Sequence, residues 1–182
     1  TSNLAFSMAI KGARTLMIDL DLRKASLTHS VDCKGPGVAA WLNGSVADAD
    51  SCIVSVSDNL DVMGVGTLPP NPSELLLSDK LSELISRMRD RYDYIFIDCP
   101  PAEVVADAAI ISSNVDMTMF IIRAGLMDKR TLPLVEDLYQ SGKYKRMALV
   151  LNGLDAQAGY GHYGHGYGYG YGHGYSYGSD KD

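Results

Sequence analysis

Two aspartates at a spacing of two, Asp19 and Asp21, follow an uninterrupted apolar run in TLMIDLDLRK (residues 15–24), and a third, Asp98, ends the run YDYIFID (92–98). Carboxylates at the ends of buried strands are hard oxygen donors, and two or three of them around one point suit a hydrated divalent cation. Magnesium fits such a set: it keeps several waters, takes one or two carboxylates and usually draws its other ligands from nucleotide phosphates. An aspartate after a strand also serves simply as a turn residue or a helix cap. It is the combination of the three that points to chemistry. If the chain stays extended beyond Asp19, then Asp19, Asp21 and Arg23 share one face while Leu20 and Leu22 take the other.

The elements that must position these groups follow from periodicity. Residues 1–13 carry Leu4, Ala5, Met8 and Ala9 on one helical stripe. Residues 15–18 read as a central parallel strand covered on both faces. A polar loop is expected over 23–37, then a short helix over 38–42 stopped by Asn43 and Gly44, with Trp41 in the core. A second strand is expected over 59–65, and 66–72 (GTLPPNP) is a rigid turn that forbids a helix. Ser73 is expected to cap one long helix carrying Leu77, Leu81, Leu84, Ile85 and Met88 at helical spacing. Strands at 92–97, 116–122 and 147–151 then alternate with helices at 104–113 and 132–141. The alternation predicts an α/β fold, a doubly wound, mostly parallel sheet with helices on both faces. Ligands in such sheets bind beyond the carboxyl ends of the strands, where Asp19 and Asp98 fall.

With 182 residues, 46% of them hydrophobic, the chain is long enough for one globular domain with a proper core. Its formal charge of -6 argues against a general nucleic-acid binder, which needs a basic face. Cys33, Cys52 and Cys99 are scattered and odd in number, which suggests neither a disulfide framework nor a zinc site and fits a reducing, cytoplasmic setting. No apolar run reaches the roughly 18 residues that span a bilayer. The first residue is not Met and the chain opens inside a helical pattern, so a fragment is expected.

LMIDLDLRK resembles the Walker A′ motif of the bacterial tyrosine kinases of capsular and exopolysaccharide export, and YIFIDCPP resembles their Walker B motif. GTLPPNPSELL (66–76) is similar to another recurrent segment of that family, and a carboxyl-terminal tyrosine cluster is its hallmark. The ordered set of four covers nearly the whole chain. The resemblance implies a P-loop NTPase-like domain over residues 1–158, with ATP and magnesium as cofactors. The family's first strand and Walker A loop, ending in Gly-Lys-Thr or Gly-Lys-Ser, have no counterpart here; TSNLAFSMA resembles the helix that follows that loop. The loop is therefore expected upstream of Thr1, and the fragment alone is expected to be inactive.

By the same resemblance, Asp98 holds magnesium through water, Asp19 and Asp21 assist the metal and activate the acceptor, and either of the two is the base. Arg23 contacts phosphate or a neighbouring subunit, or else only forms a salt bridge to Asp21. Asn152 lies where related ATPases contact adenine, although Asn-Gly is also a good turn. The activity implied is transfer of the ATP γ-phosphoryl group to tyrosine. The expected partners are further copies of the chain in a ring, a membrane polysaccharide co-polymerase or activator domain fused or separate, and a tyrosine phosphatase. The expected location is the cytoplasmic face of the bacterial inner membrane. Competing readings are an ATPase switch of the ParA and MinD kind and a non-catalytic adaptor with a decayed site.

Residues 159–182 change character completely. Seven of the eleven tyrosines, Tyr160, Tyr163, Tyr167, Tyr169, Tyr171, Tyr175 and Tyr177, alternate with glycines and with His162, His165 and His173. Without aliphatic residues such a segment is expected to be disordered and to supply the phospho-acceptors. A glycine-rich chain of this length spans roughly 25 to 30 Å on average, enough to enter a neighbour's site. Full modification would add on the order of -10 to -14 charges and drive the tail from an acidic site. Metal binding by the histidines and assembly through tyrosine contacts are the alternatives.

Overall fold

The computed structural model describes residues 1–101 and 106–154. In chain order these form α1 (Ser2–Ile10), β1 (Thr15–Asp19), α2 (Ser26–Ser30), α3 (Gly37–Leu42), β2 (Val54–Ser57), β3 (Leu60–Met63), α4 (Pro72–Leu76), α5 (Asp79–Arg89), β4 (Tyr94–Asp98), α6 (Asp107–Ser112), β5 (Met119–Arg123), α7 (Leu132–Gln140) and β6 (Ala148–Asn152). Short 3-10 turns precede β2 and α7.

β1 is buried along its whole length, as an apolar strand with cover on both faces must be. It pairs in parallel with β3 on one side and with β4 on the other, giving the order β2-β3-β1-β4. Alternation along β1 divides the core. Leu16 and Ile18 pack with Trp41, Leu81, Leu84 and Met88, whereas Met17 turns to Ala5, Ala9, Leu27 and Leu60. Helices thus cover both faces, as the pattern predicts. β5 and β6 form a separate parallel pair. Their apolar side chains Ile121, Leu149 and Leu151 are exposed. This pair is tied to the rest by a bidentate Arg89–Asp116 contact (2.7 and 3.0 Å) and by Ser112, whose hydroxyl meets that of Thr118 at 3.1 Å.

Several elements depart from the sequence-based expectation. β2 runs antiparallel to β3 as the other arm of a tight hairpin through Asp58 and Asn59, the latter at φ 60. Asparagine tolerates this left-handed backbone better than most residues. The expected polar loop over 23–37 contains α2, entered through Ala25 at φ 51. The single helix expected from Ser73 is two, because Ser78 is extended at ψ 149 between α4 and α5. Asn71 is the cap residue of α4, with Pro72 opening the helix. Ser73 lies inside the helix and its hydroxyl is engaged elsewhere. The chain turns immediately after β1, so the extended arrangement that would align Asp19, Asp21 and Arg23 on one face does not form: Ala25 N donates to Asp21 O at 2.9 Å. Trp41 is in the core as expected. Residues 155–182, including the tyrosine-rich tail, lie outside the described residues, as does part of the helix expected over 104–113.

Two glycines fix the crossing on which the 66–72 turn rests. The start of α3 lies against the end of β3, with Val38 N donating to Gly64 O (2.8 Å) and Ala39 N to Val65 O (3.1 Å). Gly37 and Gly66 both have positive φ, and a Cβ on Gly66 would stand 1.9 Å from Pro36 O. Gly12 also has positive φ, but a Cβ there would meet nothing within 4 Å. Gly12→Ala should therefore cost only the left-handed penalty of about 1–2 kcal/mol. Gly66→Ala adds a backbone clash and should cost on the order of 3 kcal/mol or more in urea unfolding. Equal losses would contradict this packing.

Candidate active site

The parallel pairing of β1 with β4 places Asp19 directly opposite Asp98 in register. Neighbouring strands lie about 4.8 Å apart. Two carboxyl-bearing residues thus stand side by side where both strands end, and Leu20 N continues the ladder by donating to Asp98 O at 2.8 Å. The spacing in sequence, 79 residues, is bridged by nothing more than two apolar strands pairing in parallel.

The environments of the carboxylates differ. Asp19 is fully buried. Its Oδ2 accepts from the Thr28 backbone N–H (2.8 Å) and hydroxyl (2.7 Å), and its Oδ1 accepts from the Asp21 N–H (3.1 Å). Burial pushes the Asp19 carboxyl above the usual carboxylate range; these donors oppose the shift, and the nearby charge of Asp98 adds to it. Asp21 is also largely buried, and one of its oxygens, Oδ1, accepts from Arg23 N (3.3 Å) and Lys24 N (3.1 Å). Its Oδ2 takes no hydrogen bond among the described residues. Asp98 is half-buried, and its Oδ1 accepts from the Thr1 hydroxyl at 2.5 Å.

Of the alternatives for Arg23, the salt bridge to Asp21 does not form. Arg23 Nε donates to Asp107 (3.0 Å) and its Nη2 to Ser73 (3.0 Å). Asn152 ends β6 in the other sheet, opposite Arg123 in register, with its side chain accepting from Gly153 N (2.9 Å). No hydrogen bond or ion pair among the described residues joins it to the three carboxylates. Thr28 and Asp107 were not singled out from the sequence, and Ser73 only as a helix cap. Nothing local marks them, since their partners lie 9, 50 and 84 residues from them.

Among the described residues, no group of three His, Cys, Asp or Glu side chains could hold a metal ion alone. The donor set still fits magnesium, which prefers one or two carboxylates plus water and phosphate to a cage of protein ligands. Asp98 would hold it through water, with the Asp19 carboxylate beside it.

The Thr28 contacts make a direct test of the Asp19 environment. Because the folded pKa is raised, the native state binds this proton more tightly than the unfolded chain. The burial penalty is therefore present above the folded pKa and relieved as pH falls through it. Thr28→Val removes a hydroxyl donor to Asp19 together with the acceptor of Val65 N. It should cost about 1–3 kcal/mol in urea unfolding at pH 7, with the loss shrinking toward acid pH. A loss independent of pH would show that the carboxylate is not what Thr28 serves.

The profile of the AAA domain family matches residues 1–124. The tyrosine-protein kinase CpsD of Streptococcus agalactiae is 31% identical over 167 residues, covering 90% of this chain and 73% of that protein. Tyrosine-protein kinase wzc of Salmonella typhi is 32% identical over 169 residues, covering 90% of this chain but 23% of its own length. Among solved structures, the kinase domain of Escherichia coli tyrosine kinase ETK aligns with a TM-score of 0.78 at 31% identity, over 93% of this chain and 65% of that one. The septum site-determining protein MinD of Pyrococcus horikoshii, complexed with Mg-ADP, aligns at a TM-score of 0.65 over 82% of this chain and 61% of that one. At 21% identity that likeness shows the fold alone. From the in-register aspartates, the matched profile and the kinase relatives together, the chain belongs to the bacterial tyrosine-protein kinases associated with capsular polysaccharide biosynthesis, on a P-loop NTPase-type α/β fold.

Proposed function

We propose that the intact protein is an ATP-dependent protein-tyrosine kinase that phosphorylates the tyrosine cluster of a neighbouring copy and thereby regulates synthesis and export of an extracellular polysaccharide. The observation that carries the reading is the pairing of Asp19 with Asp98 at adjacent strand ends, with Asp21 just beyond. Bound ATP with magnesium supplies the phosphoryl group and neutralises its charge; positioning is then the protein's main task.

The roles divide by environment. Asp98, half-exposed, would hold the metal through water. Asp19 has both oxygens engaged internally and acts from beneath as a fixed charge beside it. Asp21 keeps Oδ2 available, and this favours it over Asp19 as the base that takes the proton from the acceptor hydroxyl. Such a base is useful because tyrosine has an ordinary pKa near 10 and is little ionised at neutral pH. The outer edge of β4 carries no strand among the described residues. We place there the strand and phosphate loop that precede α1 in the intact kinase. Asn152 is retained as a contact of the nucleotide or a neighbouring subunit only in that assembled state; the Arg23 guanidinium, held by Asp107 and Ser73, is not assigned to the nucleotide.

The acceptors are Tyr160, Tyr163, Tyr167, Tyr169, Tyr171, Tyr175 and Tyr177. Their modification multiplies negative charge beside an acidic site and releases one subunit from the next, so the ring opens. A tyrosine phosphatase resets the cycle. No helix among the described residues is long and apolar enough to cross a membrane. Attachment to the cytoplasmic face of the inner membrane is assigned to a co-polymerase or activator domain, fused or separate.

The test is phosphopeptide mass spectrometry of the full-length protein after incubation with ATP and magnesium. Wild type should carry phosphate on the tail tyrosines, and Asp98→Ala should lower the rate by about 100-fold or more. Asp21→Asn should lower it by about 10²–10⁴, the usual contribution of a general base. A seven-fold Tyr-to-Phe tail should abolish incorporation while leaving the fold intact. An undiminished rate in Asp98→Ala would overturn the reading.

A further inference from the structure

We propose that Asp107 and Ser73 are positioning residues for Asp21, acting through the guanidinium of Arg23. The inference rests on the kinase reading above and extends it to a segment, GTLPPNPSELL, that the chemistry has so far left without a role.

Asp107 opens α6 and is only 2% exposed. Its Oδ2 takes the Nε of Arg23 at 3.0 Å, and its Oδ1 takes the Ser73 hydroxyl at 2.7 Å. Arg23 Nη2 donates to the same Ser73 oxygen at 3.0 Å. The ring is closed and its polarity is fixed. A guanidinium only donates and a carboxylate only accepts, so the serine must give its proton to Asp107 and turn a lone pair to Arg23. The three groups come from the turn after β1, from α4 and from α6.

The opposite end of the same arginine reaches the site. The backbone N–H of Arg23 donates to Asp21 Oδ1, beside that of Lys24. The stretch from Leu20 to Lys24 belongs to no helix or strand. What holds the Asp21 carboxylate in place is therefore a short turn, and that turn is tethered by the Arg23 side chain. The anchor is firm for two reasons. Releasing Arg23 would leave a buried carboxylate without its cation, which is strongly unfavourable. Ser73 stands at the start of α4, shortly after the backbone crossing at Gly37 and Gly66, where neither glycine can accept a side chain.

Lysine would not reproduce this clasp. Its ammonium is a compact charge on a flexible stem, whereas the planar guanidinium engages Asp107 and Ser73 at once through two fixed N–H groups. Small displacements matter at this point, because misplacing a reacting group by about 1 Å can cost on the order of 100-fold in rate.

The experiment measures phosphorylation by the full-length protein of a synthetic peptide comprising residues 159–182, with urea midpoints recorded for each variant. Ser73→Ala should lower kcat about 10-fold with KM for ATP changed less than about 2-fold, because binding is kept and only the reacting geometry is lost. Ser73→Thr keeps the hydroxyl and should restore kcat to within about 3-fold of wild type. Arg23→Lys should lose at least as much as Ser73→Ala. If Ser73→Ala and Arg23→Lys keep wild-type kcat while their urea midpoints fall, the clasp is structural only and the proposal is overturned. A loss in Ser73→Thr equal to that in Ser73→Ala would overturn it as well. Wild-type protein that forms no phosphotyrosine would instead overturn the kinase reading itself, and this proposal with it.

Discussion

The parallel pairing of β1 with β4 is the constraint from which the rest of the site follows. β1 is buried on both faces and hydrogen-bonded on both edges, so it can neither slide nor twist without breaking two ladders. A slip of one residue would send every side chain of the strand to the opposite face. Leu16 and Ile18 would then leave one core and Met17 the other. Packing thus sets the register, and the register sets Asp19 opposite Asp98. The carboxylates are brought together by apolar residues that take no part in chemistry.

That arrangement has an electrostatic cost. Burial of the Asp19 carboxylate is the larger part of it, and the like charge of Asp98 adds a smaller part. The structure offsets part of it for Asp19 with three donors, from Thr28 and Asp21. Asp98 has only one side-chain donor among the described residues, from Thr1, and stays half-exposed. An acidic pair of this kind is poised for a cation, which converts the repulsion into binding. Asp21 stands apart from that balance. Its charge is held by backbone N–H groups of a turn, and the turn is anchored through Arg23 to two helices remote in sequence. The Asp19–Asp98 pair and Asp21 are therefore supported by different parts of the fold.

Much of this was legible in the sequence because it depended on local signals. The apolar run ending in Asp19, the matching run ending in Asp98 and the α/β alternation all survive in the structure. What was not legible depended on contacts distant along the chain or on short polar elements. SLTHS carries no apolar stripe, so α2 was hidden in an expected loop, and with it Thr28 beneath Asp19. β2 is an exposed edge strand of alternating valine and serine, and the Asp58-Asn59 turn was its one usable signal. Arg23 was expected to contact phosphate or a neighbouring subunit, or else to pair with the nearest carboxylate, Asp21. The chain turns instead, and the guanidinium finds a buried carboxylate 84 residues away. No pattern within one segment encodes that choice.

The most direct measurement of the central claim is the position of a metal in crystals of the full-length protein grown with manganese and a non-hydrolysable ATP analogue. The anomalous peak is expected at the carboxyl ends of β1 and β4, separated from the Asp98 carboxylate by one water. Asp21 is expected outside the coordination shell. A peak bound directly by Asp21, or one away from the two strand ends, would contradict the central claim.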